Sequence, residues 1–261
     1  MSSRVCEYDF RTLPAMKTKT VDASETTEEW RALARQDPFF AVAAWPGKED
    51  GSWSKEDFYA LGRSDWADFR AQWRHYWPEL GGTAVDFGCG AGRITHVLAE
   101  DFERVIGVDV SPEMAELARR ASPPNVEVAV VDGIEIPLEA GSVDGVFTSH
   151  VLQHLEDRPA VREALSEMGR VLRPGGSLMV HLLHSTGTPT LKLRIRSELL
   201  LRQARRARAR GETAWMCRVR RYTREEIRTL LGELGFEAVE LREFPVRSNG
   251  DPHAFWLARK S

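Results

Sequence analysis

Cysteine is scarce in this chain: Cys6, Cys89 and Cys217 are the three in 261 residues, odd in number, scattered, and without a Cys-x-x-Cys pair. A disulfide framework and a cysteine zinc site are both disfavoured, and a reducing cytoplasm is the expected location. No apolar run approaches the ~20 residues that a bilayer-spanning helix needs. The first residues, Met1 to Tyr8, carry no apolar signal core, so neither membrane insertion nor secretion is expected. Charge of one sign is also lacking. With a formal net charge of −3, the chain has no global attraction to nucleic acid or anionic membranes, and any such affinity must be local. Internal repeats and low-complexity segments are absent. The length fits one α/β domain with additions.

From Thr83 onward short apolar runs alternate with helical patterns. Thr83-Ala84-Val85, Val105 to Val110, Val126 to Val131, Gly145 to Thr148 and Ser177 to Leu183 read as five strands. Helical patterns separate them at Ile94 to Ala99, Pro112 to Arg120, after Thr148, and at Glu163 to Val171, while Arg173 to Gly176 reads as a turn. Such alternation indicates βαβ units and a parallel sheet. Tyr222 to Leu234 is a further helix, with Thr223 as N-cap, Glu226 completing a capping box and Gly235 ending it. Glu237 to Glu243 and His253 to Ala258 supply a terminal strand pair. The first 80 residues differ in kind: 1 to 25 are polar and unpatterned, whereas Thr26 to Ala44 and Ser54 to Trp77 look helical. Trp66, Phe69, Trp73 and Trp77 share one helical face, which either packs on the sheet or walls a substrate.

The most informative stretch is Asp86-Phe87-Gly88-Cys89-Gly90-Ala91-Gly92-Arg93, a glycine turn between a strand and a helix. Alternate glycines permit positive φ and let a ligand lie against bare main chain. A dinucleotide turn of the Gly-x-Gly-x-x-Gly kind needs its third glycine where Arg93 stands, which weakens a nicotinamide oxidoreductase reading. An acid followed by three glycines at spacing two resembles the cofactor loop of the class I methyltransferases that use S-adenosylmethionine (SAM). Four later segments extend the resemblance: Asp109 at the end of the second strand, Val131-Asp132-Gly133 after the third, Asp144 to His154 at the fourth, and Val171 to Leu178 entering the fifth. They cover roughly residues 83 to 183 and are most similar to the ubiquinone/menaquinone-biosynthesis type, many of which act on small molecules. The resemblance implies a seven-stranded, mostly parallel, Rossmann-like α/β sheet and SAM as cofactor. It implies that Asp86, Gly88 and Gly90 line the methionine part, that Asp109 binds ribose, and that Asp132 with Gly133 meets adenine. Cys89, Val110 and Ser149 belong to the same implied cofactor set.

Methyl transfer to a hydroxyl or phenol benefits from a base titrating near neutrality, whereas a carboxylate needs none. His150, directly after the fourth strand, is the first candidate base and His184, just past the fifth, the second. His154 lies one helical turn beyond His150 and is read as structural; His181 lies inside a strand, as core or beside the cofactor. Two histidines one turn apart can share an ion, but with no third ligand clustered nearby no metal is expected. Ser122-Pro123-Pro124-Asn125 is similar to the amino-methyltransferase signature but stands far from the fourth strand, which leaves oxygen or carbon acceptors.

Between residues 186 and 221 an insertion is rich in arginine, with Arg205, Arg206 and Arg208 at its centre. It reads as a basic lid, either solvated or capturing an anionic or carrier-linked small molecule, and Arg205, Tyr222 and Trp73 are the candidate substrate contacts. Nucleic acid is the less favoured partner, since Trp215 is the main aromatic there for base stacking. The expected organisation is a tail and helical cap over 1 to 80 and a SAM-dependent methyltransferase domain over 81 to 261. An RNA methyltransferase using the insertion and a non-catalytic SAM-binding protein remain as alternatives.

Overall fold

The computed structural model describes residues 23–45, 47–48, 50–155, 157–184, 221–245 and 252–261. Arg205 and the other insertion residues up to 220 lie outside this set, as do residues 1–22, so the expected lid and tail are not part of the description.

Three helices come first: α1 (Ala23–Gln36), α2 (Pro38–Val42) and α3 (Lys55–Tyr76). Then β1 (Thr83–Phe87), α4 (Thr95–Leu98), β2 (Arg104–Asp109), α5 (Pro112–Ala121), β3 (Val126–Val130) and β4 (Val143–Thr148) follow. A 3-10 turn (Leu152–His154), α6 (Arg158–Val171), β5 (Leu172–His184), β6 (Arg221–Tyr222), α7 (Arg224–Glu233), β7 (Phe236–Pro245) and β8 (Pro252–Lys260) complete the described chain. The strand order is β3-β2-β1-β4-β5-β8-β7, with β6 beside β5. All neighbours pair parallel except β8, which runs antiparallel to both β5 and β7. The sequence predicts seven strands, and the described residues form eight; the addition is the two-residue β6. The turn expected at Arg173 to Gly176 is absorbed into β5 as a shift in register with β4, with Gly175 at φ +79°.

The capping box opens α7 as its sequence dictates: Glu226 N donates to Thr223 Oγ1 at 3.2 Å and Thr223 N to Glu226 Oε2 at 2.9 Å. The aromatic face of α3 is core. Phe58, Trp66, Phe69 and Trp73 are buried, and the last three pack on Ala84, Phe147, Met179 and Phe255 of the sheet. Trp73 is fully buried, and its indole N–H donates to Ser177 Oγ at 2.9 Å. Its expected role at the substrate is thereby corrected: an indole sealed between helix and sheet cannot also wall a cleft. On this sheet face α3 also packs against Val105 and Leu257. On the other face, α6 and α7 cover Val85, Val146, Val180 and Trp256.

Asp101 fastens α3 to the domain. Its side chain is buried and accepts from Trp66 Nε1 (2.9 Å), Arg70 Nε (2.7 Å) and Arg74 Nη2 (2.8 Å). Removing one partner of a buried ion pair strands the others. Both guanidiniums are partly solvated, so we expect Asp101→Ala to cost about 3 kcal/mol, near the lower end for buried pairs, measured by chemical denaturation.

Candidate functional site

The carboxyl ends of β1, β2, β3 and β4 converge on one edge of the sheet, where ligands of open α/β folds bind. At that edge Gly88 sits at φ +73° and Gly90 at φ +53°. A Cβ on Gly88 would lie 2.2 Å from Val151, and one on Gly90 2.8 Å from Val42, so bare backbone faces α2 on one side and the β4 loop on the other. Cys89 turns its thiol inward against Gly107, Ala115 and Ala118, where burial raises its pKa well above the ordinary value. Any ligand contact by Cys89 is therefore through main chain. Arg93, where a dinucleotide turn wants glycine, is buried and paired with Asp65 of α3.

Asp86 is buried at the end of β1 and accepts from Thr95 Oγ1 at 2.6 Å. Burial raises its pKa to about 7, partly opposed by that hydrogen bond. Among the described residues Asp86 forms no direct ion pair, although the Arg93 guanidinium favours its charged form from a distance, and the α-ammonium of an amino acid is a partner that would complete it. Asp109 accepts from Gly90 N (2.8 Å) and Ser111 N (2.9 Å), so one side chain ties the glycine turn to the start of α5. A carboxylate has lone pairs left for two ribose hydroxyls. Asp132 and Gly133 stand beyond β3; the Asp132 side chain is 91% exposed. Arg31 of α1 donates from Nε to Val110 O at 3.0 Å and reaches Asp132 at 3.6 Å, bridging the two loops assigned to ribose and adenine. Arg31 was not among the expected site residues, because nothing local marks which polar face of α1 turns inward.

At the end of β4, Thr148 Oγ1 and Ser149 Oγ are buried and take no hydrogen bond among the described residues. His150 follows at φ +61°, and the 3-10 turn starts two residues later. The expected shared helix face of His150 and His154 is therefore corrected. His154 instead meets Trp30 of α1 edge-on at 5.1 Å, while the His150 ring lies 4.1 Å from His181 and 5.4 Å from His253. The His150–His154 pair considered for an ion is not what clusters: one nitrogen of each of His150, His181 and His253 falls within 4.8 Å of the others. Burial pushes His150 and His181 well below the usual imidazole pKa and His253 down to about 3, so all three are neutral at pH 7.

His184 is not with them. Side chains alternate along β5: Met179 packs on the α3 side, whereas Leu178, Val180 and Leu182 face α6 and α7, which sends His181 one way and His184 the other. There His184 Nε2 lies 3.1 Å from Glu243 Oε1, and Arg224 shares that carboxylate. Burial holds its pKa below the ordinary value. Tyr222, expected at the substrate, is buried in the α6–α7 core with the Arg158 guanidinium over its ring. That expectation is corrected too.

A family model described as a methyltransferase domain matches residues 85–180. Residues 85–180 are a SAM-dependent methyltransferase domain. The residues fit its cofactor: a strand-end turn of positive-φ glycines, a desolvated carboxyl at Asp86 and a buried hydroxyl at Ser149 without a hydrogen bond among the described residues. The chain is similar to trans-aconitate 2-methyltransferase of Azoarcus, 39% identical over 113 residues, which is 42% of this chain and 43% of that protein. It is similar to 2-methyl-6-phytyl-1,4-hydroquinone methyltransferase of Synechocystis, 34% identical over 103 residues, 38% of this chain and 31% of that protein. The match thus spans less than half the length of these curated relatives. In fold, the methyltransferase domain and its flanks resemble magnesium protoporphyrin IX methyltransferase of Synechocystis, solved with S-adenosylhomocysteine, at a TM-score of 0.64 and 17% identity, over 92% of this chain and all of that one. Among the described residues no helix is long and apolar enough to cross a membrane.

Proposed function

We propose that this chain transfers the methyl group of SAM to an oxygen or carbon nucleophile of a small molecule. One observation carries the reading: the glycine turn with its desolvated Asp86 and the neutral imidazole of His150 stand at the carboxyl ends of the neighbouring parallel strands β1 and β4. When bound, SAM supplies an electrophilic methyl on a sulfonium. Asp86 would hold the ammonium of its methionine part, Gly88 and Gly90 its chain, Asp109 the ribose, and Val110, Asp132 and Gly133 the adenine. What remains for the protein is to align a nucleophile and exclude water. His150, neutral because buried, accepts the proton of a hydroxyl or phenol as the new bond forms; a carboxylate acceptor needs no such help.

An anionic or carrier-linked acceptor suits the arginine-rich insertion around Arg205, and the trans-aconitate in the name of one relative is an anionic acid. The quinone-biosynthesis type is supported by the hydroquinone methyltransferase likeness. The test is transfer of labelled methyl from SAM to panels of carboxylic acids, phenols and hydroquinones. For a hydroxyl acceptor, His150→Ala is expected to lower kcat by about 100-fold or more with SAM affinity unchanged; near-normal turnover would remove His150 as base.

A further inference from the structure

The three clustered histidines, two of them buried, meet the distance requirement for a metal triad, yet their hydrogen bonds assign a different job. The His150 main-chain N–H donates to His181 Nδ1 at 3.0 Å. That nitrogen must carry a lone pair, so a neutral His181 holds its proton on Nε2. Nε2 in turn lies 2.6 Å from His253 Nδ1, which must accept, leaving the His253 proton on its own Nε2. A metal ion on His181 would have to displace either the His150 N–H from Nδ1 or the proton that Nε2 shares with His253. The chain of donors therefore runs one way, from the His150 backbone through His181 to His253.

We propose that His181 and His253 are positioning residues that lock the His150 main chain in its left-handed turn and so hold the His150 ring at the methyl-accepting edge. The inference rests on the reading of His150 as acceptor-side base. Position +61° in φ is uncommon for a residue with a Cβ and needs support from its surroundings. Here one hydrogen bond holds the amide, the His181 ring packs 4.1 Å from the His150 ring, and Phe244 and Phe255 wall His181 at 6.1 and 5.2 Å. His253 does not touch the His150 amide. It acts by accepting the His181 proton, which keeps Nδ1 of His181 free as the acceptor.

The experiment uses untagged full-length protein labelled with ¹⁵N-histidine. Two-bond ¹H–¹⁵N spectra at neutral pH are expected to show His181 and His253 both neutral with the proton on Nε2, and the His150 amide is expected to be protected from hydrogen exchange. His253→Phe, which removes the acceptor, is expected to speed that exchange at least about tenfold, the equivalent of losing one net hydrogen bond. His253→Asn, whose Oδ1 can take the place of Nδ1, is expected to restore protection. With an acceptor in hand, His253→Phe lowers kcat and leaves the SAM Kd unaltered. A proton on His181 Nδ1, His150 exchange unaffected by His253→Phe, or stoichiometric Co²⁺ binding lost in His181→Gln would each overturn the proposal. SAM binding measured on the same samples separates this failure from failure of the methyltransferase reading.

Discussion

Asp86→Asn is expected to make the ligand-free protein more stable at neutral pH and to cost SAM affinity by about 100-fold or more, a loss of the size seen when a buried charge is deprived of its partner. The two effects have one cause. In the folded chain the carboxyl titrates at about 7, against an ordinary value of 3.8, because burial disfavours its charged form. A carboxyl with a raised pKa binds more protons folded than unfolded between those values, so stability falls as pH rises from about 4 to about 7 and is level above that. The span corresponds to roughly 4 kcal/mol. Asparagine keeps an acceptor for Thr95 and has no charge to desolvate, so denaturation midpoints of the variant lose this slope. The same carboxylate is what an ammonium would pair with. SAM affinity of the native protein is therefore expected to fall about tenfold per pH unit below about 7, and that dependence vanishes in Asp86→Asn. A variant that binds SAM normally would detach Asp86 from the cofactor.

Gly88→Ala is the second large effect. The new Cβ must sit 2.2 Å from Val151 Cγ2 at a φ of +73°. Left-handed backbone costs roughly 1–2 kcal/mol for a residue with a Cβ, and forcing Val151 aside adds roughly 1–3 kcal/mol. A total near 3 kcal/mol is expected, together with loss of SAM binding, because the displaced Val151 directly follows His150 and the added methyl stands on the glycine turn itself. Gly141→Ala is the control. Its φ is +68°, but the nearest atom to its Cβ is 4.0 Å away, so it carries the backbone term alone and leaves SAM binding intact. Equal behaviour of the two variants would mean that Gly88 serves the chain rather than a ligand.

Features written in local pattern were legible before the structure. The acid-and-glycine turn, Asp109 closing the second strand, and the Thr223–Glu226 capping box each depend on a few neighbouring residues, and each stands where its spacing put it. What depends on the path of distant segments was not legible. His181 and His253 are 72 residues apart and meet because β8 runs antiparallel to β5 in one particular register. Arg31 lies 79 residues from the Val110 carbonyl it caps. The α3 stripe shows the same limit from another side: periodicity marks an apolar face but not what covers it, and the cover over Trp73 is the sheet rather than a substrate. His150 and His154 keep helical spacing in sequence, yet the strand's exit at Ser149 demands a sharp change of direction, and a left-handed residue supplies it. His150 and His184, both near strand ends on paper, part to opposite faces because one follows β4 in a turn and the other stays in register on β5.

Isothermal titration of the purified protein with SAM, repeated with Asp109→Ala and with NADH, tests whether the glycine turn, Asp86 and Asp109 form a SAM site. Saturable SAM binding at one site per chain is expected, lost in Asp109→Ala, with no heat from NADH. Silence with SAM, or binding that survives Asp109→Ala, would rule that site out.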